Sequence, residues 1–210
     1  LREAARDVRH LVDRGYPGDS AVRFVSDHRR LPEEERFILQ RIIVPANRAL
    51  LRMAKTLRQQ DLRDREVFVD GYNTIITTHS LLAGHPVYLC DDGFLRDTRA
   101  FFRSGRELQS AAGALSEILD LLASARPSRV QVLFDQQISR SGEMAGMVRR
   151  MMAARGLLGE AECARDVDHL LKACGSIVAS SDGNVIDAAA AAIDLPGEIA
   201  RGHSVRPLLI

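Results

Sequence analysis

Residues 66–73 read E-V-F-V-D-G-Y-N, and this stretch decides the fold. Val67, Phe68 and Val69 form a short run of consecutive apolar residues, the pattern of a strand buried on both faces. The run stops abruptly at Asp70 and Gly71. In an open parallel α/β sheet the carboxyl ends of the strands face the ligand crevice, so an acid placed there points to chemistry.

Working outward toward the C-terminus, short apolar runs alternate with helical periods. A helix is expected from Asn73 to Leu82, closed by Gly84, and then a strand at Val87–Cys90 that ends on Asp91 and Asp92. A loop or short helix through Asp97 and Arg99 leads to a helix over Glu107–Ala123, and a strand at Val130–Phe134 ends on Asp135. After the turn at Ser139–Gly142 comes a helix through Met152, a short strand at Ala161–Cys163 and a helix near Val167–Leu171. Ile177–Ala179 reads as a strand leading into Ser180-Ser181-Asp182, the alanine run Ala188–Ala192 as a helix, and Leu208–Ile210 as an edge strand or a frayed end. The alternation implies an α/β fold with a parallel sheet between two layers of helices.

Toward the N-terminus the period is helical throughout. Ala5, Val8, Leu11 and Val12 share one face, and Gly15 and Pro17 end that helix and open the next, which carries Ala21, Val22, Phe24 and Val25. Pro32 followed by Glu33, Glu34 and Glu35 makes a favourable first turn for a third helix. Pro45 opens a fourth with Leu50, Leu51, Ala54 and Leu57. Two parts follow: a small all-α domain over residues 1–65 and an α/β domain over residues 66–210.

Their charges differ. Residues 1–65 hold 15 Lys+Arg against 10 Asp+Glu, whereas residues 66–210 hold 14 against 18, giving +5 and −4. A basic part attached to an acidic one suits an element that holds an anionic substrate beside one that binds a cation. On the fourth helix Arg48, Arg52 and Lys55 fall at i, i+4 and i+7, either as a phosphate-tracking stripe or as an ordinary solvated face. The 210 residues, 46% hydrophobic and 27% charged, contain no apolar run of membrane-spanning length and no signal-peptide pattern. Cys90, Cys163 and Cys174 lack zinc spacing and suit a reducing, cytoplasmic setting as small buried thiols.

The strand ends carry the chemistry. Asp70, Asp91 with Asp92, Asp135 and Asp182 all follow apolar runs, which lines several carboxylates along one sheet edge. Like charges so crowded raise and couple one another's pKa values unless a cation compensates them. Oxygen donors without histidine or cysteine favour Mg²⁺ or Mn²⁺. Such a site suits phosphodiester hydrolysis. The helix expected after Asp135 opens with Ser139, Ser141 and Glu143, either as a phosphate-binding terminus or as an N-cap. Asp70 and Asp182 also stand at helix N-caps, Asp187 reads best as a solvated helical acid, and Tyr72 either packs or stacks on a base. Neither G-x-G-x-x-G nor a P-loop occurs, and Lys172 is the only lysine of this half, which disfavours nucleotide-dependent and receiver-like readings.

D-G-Y-N after one strand, F-D after a middle one and S-S-D after a later one resemble the PIN-like nucleases, the NYN branch above all. With its helical front and its C-D-D-G and S-x-S-G-E stretches, the whole chain also looks like an uncharacterised prokaryotic family whose rear half is described as PIN-like. The resemblance to the nuclease fold covers about residues 66–195. It implies that Asp70, Asp135 and Asp182 are the metal-binding acids, with Asn73 beside them, in an enzyme that cuts RNA with Mg²⁺ or Mn²⁺. PIN-like domains usually carry a further acid within a central helix. Here Asp92 or Asp97, in a loop, stands in for it. Ser139, Ser141, Ser181, Arg48 and Arg52 are then expected to contact RNA. No membrane partner is expected, and self-association into a homo-oligomer stays open. A binding module that holds RNA or protein with a weak or empty metal site is the alternative.

Overall fold

The computed structural model describes residues 1–98 and 108–210, with ten α-helices among them. The front part is built from α1 (Arg2–Val12), α2 (Gly18–Arg29), α3 (Glu33–Ile42) and α4 (Ala46–Ala54). Ala4, Ala5, Val8 and Val12 of α1 pack against Ala21, Val22 and Val25 of α2 and Leu39 of α3, as their spacing anticipated, whereas Phe24 of α2 and Leu50 and Leu51 of α4, expected on apolar stripes too, are exposed.

The rear part is organised on one six-stranded, all-parallel sheet. Its strands are β1 (Thr56–Leu57), β2 (Glu66–Asp70), β5 (Arg129–Asp135), β6 (Gly159–Ala164), β7 (Ile177–Ala179) and β8 (Ala191–Ile193), in the order β1-β8-β7-β2-β5-β6. A separate antiparallel pair joins β3 (Val87–Leu89) to β4 (Leu95–Asp97). One face of the sheet is covered by α5 (Gly71–Leu82), α6 (Leu108–Ala125), α7 (Ser141–Ala154) and α10 (Leu195–Gly202), which bury Ile75, Leu119, Met144 and Ile199 against Val67, Val69 and Val132. The other face carries α8 (Val167–Ala173) and α9 (Gly183–Ala188), with Leu171 and Ile186 packed on Leu133 and Val178. This gives the three-layer α/β arrangement implied by the alternating pattern.

Three local expectations change. The fourth helix stops at Ala54, so Leu57 lies in a strand that pairs with β8, and the sheet reaches back to Thr56. The alanine run divides between the end of α9 and β8, because Ala191, Ala192 and Ile193 are buried between two neighbouring strands, and this burial overrides alanine's helix preference. The strand ending on Asp91 and Asp92 is not part of the large sheet. Its hairpin turns at Gly93, with φ of +82°, and the C-terminal Leu208 bonds to it through Leu89 and Val87. Arg99 and Glu107 lie outside the described residues. No helix among the described residues is long and apolar enough to cross a membrane.

The strand order locates a crevice. The chain runs outward from β2 to β5 and β6 with helices on one face, then returns to β7 and β8 with helices on the other. The reversal falls between β2 and β7, where ligands bind at the carboxyl ends of strands in open α/β sheets.

Candidate functional site

D-G-Y-N and S-S-D meet at that reversal. Val69 pairs with Ala179, which sets Asp70 beside Ser180. The Asp70 carboxylate accepts the Ser180 hydroxyl at 3.0 Å and the Asn73 backbone N–H at 3.3 Å. The Asn73 side-chain oxygen accepts the backbone N–H and the hydroxyl of Ser181 at 3.0 and 2.7 Å. Asp182 then caps α9, accepting the N–H groups of Asn184 and Val185 at 2.7 and 3.2 Å. Asn73 and Ser181 thus act as positioning residues that fasten one strand end to the other. Gly71 serves close packing, since a Cβ there would collide with the Phe134 ring and the Leu133 carbonyl.

Asp70, Asn73, Asp135 and Asp182 line a single cleft of about 480 Å³. Asp97, Asp166 and Asp168 line it too, together with Arg41 of α3 and Arg165. Asp97 ends β4 and is 3% exposed, so of the two stand-ins for a further acid it is the one that reaches the cleft. The sequence reading missed Asp166 and Asp168, although R-D-V-D directly follows β6 and repeats the strand-end acid signal. Burial pushes the Asp70 carboxyl up to about 6, against the lowering effect of its bonds to Ser180 and Asn73, and the charges of Asp168 and Asp182 add to the rise. No cation pairs with Asp70 among the described residues. Among those residues, no group of three or more His, Cys, Asp or Glu side chains is arranged to hold a metal ion.

Several candidates serve elsewhere. Asp92 is fully buried and bound by both Arg52 and Arg96, at 2.8 and 2.7 Å. Burial alone would raise its carboxyl, yet the hydrogen bonds and charges of Arg96 and Arg52 outweigh burial and hold it below the usual range. It balances two buried guanidinium groups and does not enter the cleft. Asp91 receives a bidentate bond from Arg9 and the N–H of Val44 at 3.2 Å, tying α1 and the α3–α4 link to the hairpin. The expected stripe on α4 faces the protein. Arg52 is 4% exposed and also bonds Asp187, while the Lys55 ammonium donates to the Asp187 and Ala189 carbonyls. Of that stripe only Arg48 stays largely exposed. Ser139 is exposed and Ser141 buried, and neither lines the cleft. No serine hydroxyl caps α7, whose N-cap position is held by Arg140 at φ +66°. Tyr72 is 7% exposed and packs edge-on against Phe134 at 5.1 Å, so its ring is a wall of the cleft and not a free stacking platform.

Compared with known proteins, the chain matches the model of a domain of unknown function (DUF5616) over residues 59–198. Residues 1–55 match that of a protein of unknown function (DUF434). The chain is 30% identical over 186 residues to the uncharacterized protein MJ0935 of Methanocaldococcus jannaschii, a match that covers 89% of this chain and 88% of that protein. No solved structure matches it.

Proposed function

The chain belongs to the family of the DUF5616 domain, whose matched span holds every acid of the cleft, and on that premise we propose that it is a metal-dependent ribonuclease with a PIN-like, NYN-type α/β domain. The observation that carries this reading is the convergence of Asp70, Asp135 and Asp182, with Asn73, on one cleft at the strand-order reversal. The donor set suits a hard divalent cation. Its acids offer oxygen alone, and the Asp70 carboxyl is strongly desolvated with no cation paired to it among the described residues.

Asp70, Asp135 and Asp182 would hold Mg²⁺ or Mn²⁺, with Asp97 the further acid in place of Asp92. The ion would supply Lewis-acid polarisation of a phosphate and activation of water. The chain's own residues do the rest. Asn73 and Ser181 fix the spacing of the two acid-bearing turns. Arg41 and Arg165 offer charge to the phosphate backbone, and Phe37, Ile76 and Ile138 form an apolar wall suited to a ribose or base. Arg41 gives the basic front part its part in binding, a role that the sequence reading assigned to Arg48 and Arg52.

The test is Mn²⁺-dependent cleavage of labelled RNA by the purified protein and by Asp70→Asn. The parent should cut and the variant should lose at least a hundredfold in rate; equal cleavage by both would remove the assignment. A second reading, an RNA-binding module without catalysis, is favoured by one observation: no three acids among the described residues stand in a ligating arrangement. Metal-independent RNA binding without cleavage at any Mn²⁺ concentration would select it.

A further inference from the structure

A second cavity of about 260 Å³ adjoins the acidic cleft and shares Arg41, Asn73 and Asp182 with it. It lies between the α3–α4 link and the start of α9, and among the described residues its lining contains four arginines, Arg41, Arg48, Arg52 and Arg96, against one acid, Asp182. Two of these guanidinium groups are already satisfied. Arg52 bonds Asp92 and Asp187, and Arg96 bonds Asp92 and the Ser181 carbonyl. Arg48 is only loosely engaged, 3.7 Å from Asp187, with its side chain 56% exposed.

Arg41 differs from all three. Among the described residues its Nε is buried without a hydrogen-bond partner, and Asp97 and Asp182 act on its charge only through space. The guanidinium lies over the Phe37 ring, 5.7 Å from its centroid. A buried charged donor left unsatisfied is costly, and the fork of a guanidinium matches the oxygens of a phosphate. The cavity also opens beside the acids that would act on a phosphodiester.

We propose that this arginine-lined cavity is a phosphate-binding subsite, in which Arg41, assisted by Arg48, holds a phosphate of the RNA next to the one in the acidic cleft. The identity of the strand as RNA rests on the ribonuclease reading; the cavity's affinity for phosphate does not. The phosphate is either the terminal monoester of a strand end or an internal diester.

Anisotropy measurements in EDTA separate these cases and are independent of cleavage. The probes are one RNA sequence with a 5′-phosphate, a 3′-phosphate or hydroxyls at both ends, each competed with inorganic phosphate. Arg41→Gln should weaken binding about tenfold or more, and Arg48→Gln, at an exposed position that tolerates change, severalfold. A preference for one phosphorylated end, lost in Arg41→Gln, supports the subsite and assigns it to that end. Equal affinity for all three probes with the same loss supports it and assigns an internal diester. Unchanged affinity in a folded Arg41→Gln overturns the proposal. Should that variant not fold, unchanged affinity in Arg48→Gln overturns it. Loss of cleavage in Asp70→Asn with EDTA binding retained shows that the two sites fail separately.

Discussion

Asp70 and Asp92 are both buried acids near strand ends, yet their surroundings predict opposite responses to neutralisation. Asp92 sits between two buried guanidinium groups, and breaking a buried pair on one side costs about 3–5 kcal/mol. Asp92→Asn should therefore lower stability by that order in chemical denaturation. Asp70 has no such partner among the described residues, and burial disfavours its charge. Asp70→Asn should fold and melt no lower than the parent, each kcal/mol relieved raising Tm by roughly 2–4 °C. A large drop in Tm would make Asp70 a structural residue. The pH dependence follows from the same physics. Burial also pushes the Asp194 carboxyl up to about 6, where it accepts the N–H groups of Leu95 and Gly197. An acid whose pKa rises on folding holds more protons in the folded state. Stability therefore falls as pH rises from about 4 to about 6 and then levels, by up to about 1.4 kcal/mol per pH unit for each such group. Denaturation at pH 4.5 and pH 6.5 checks the sign for Asp70 and Asp194 together.

At the scale of elements, the close approach of α5 to β5 is what aims Asp70. A methyl group at Gly71 has no room beside Phe134 and Leu133, so Gly71→Ala should cost roughly 1–3 kcal/mol and shift Asp70 enough to depress cleavage as well. Full activity in that variant would show that the turn is not under this constraint. The strands that end at the cleft were legible because Val67–Val69 and Ile177–Ala179 are apolar runs, and Val130–Phe134 one broken by Gln131 alone, that stop at acids or serines. Less could be read of β8, made of Ala191, Ala192 and Ile193, or of β1, only Thr56 and Leu57 long. Neither has a local pattern apart from its pairing. The hairpin of β3 and β4 shows the same limit: a strand-end acid signals a crevice only if the strand joins the large sheet, and Val87–Leu89 does not. Asp166 and Asp168 could have been found by applying the strand-end rule once more after β6.

For the whole molecule, the front part shares in the candidate cleft through α3. Arg41 and Phe37 of α3 line the acidic cleft, and Arg9 ties α1 to the hairpin through Asp91 and to the Ile210 carbonyl. The charge asymmetry between the two parts was visible in the sequence. Which arginines line the cleft and which are held in internal ion pairs was not, because the Arg52–Asp92–Arg96 cluster joins residues distant in the chain. An apparently exposed stripe on α4 became an interior contact, and a neighbouring arginine on α3 was left facing the cavity. On the proposed function, Asp70, Asp135 and Asp182 form one cation site. Calorimetric titration with Mn²⁺ tests it most directly, on the parent and on Asp70→Asn, Asp135→Asn and Asp182→Asn. The parent should bind saturably and each variant should lose that binding with the fold retained, whereas no binding by the parent, or binding indifferent to all three substitutions, would rule out a shared cation site.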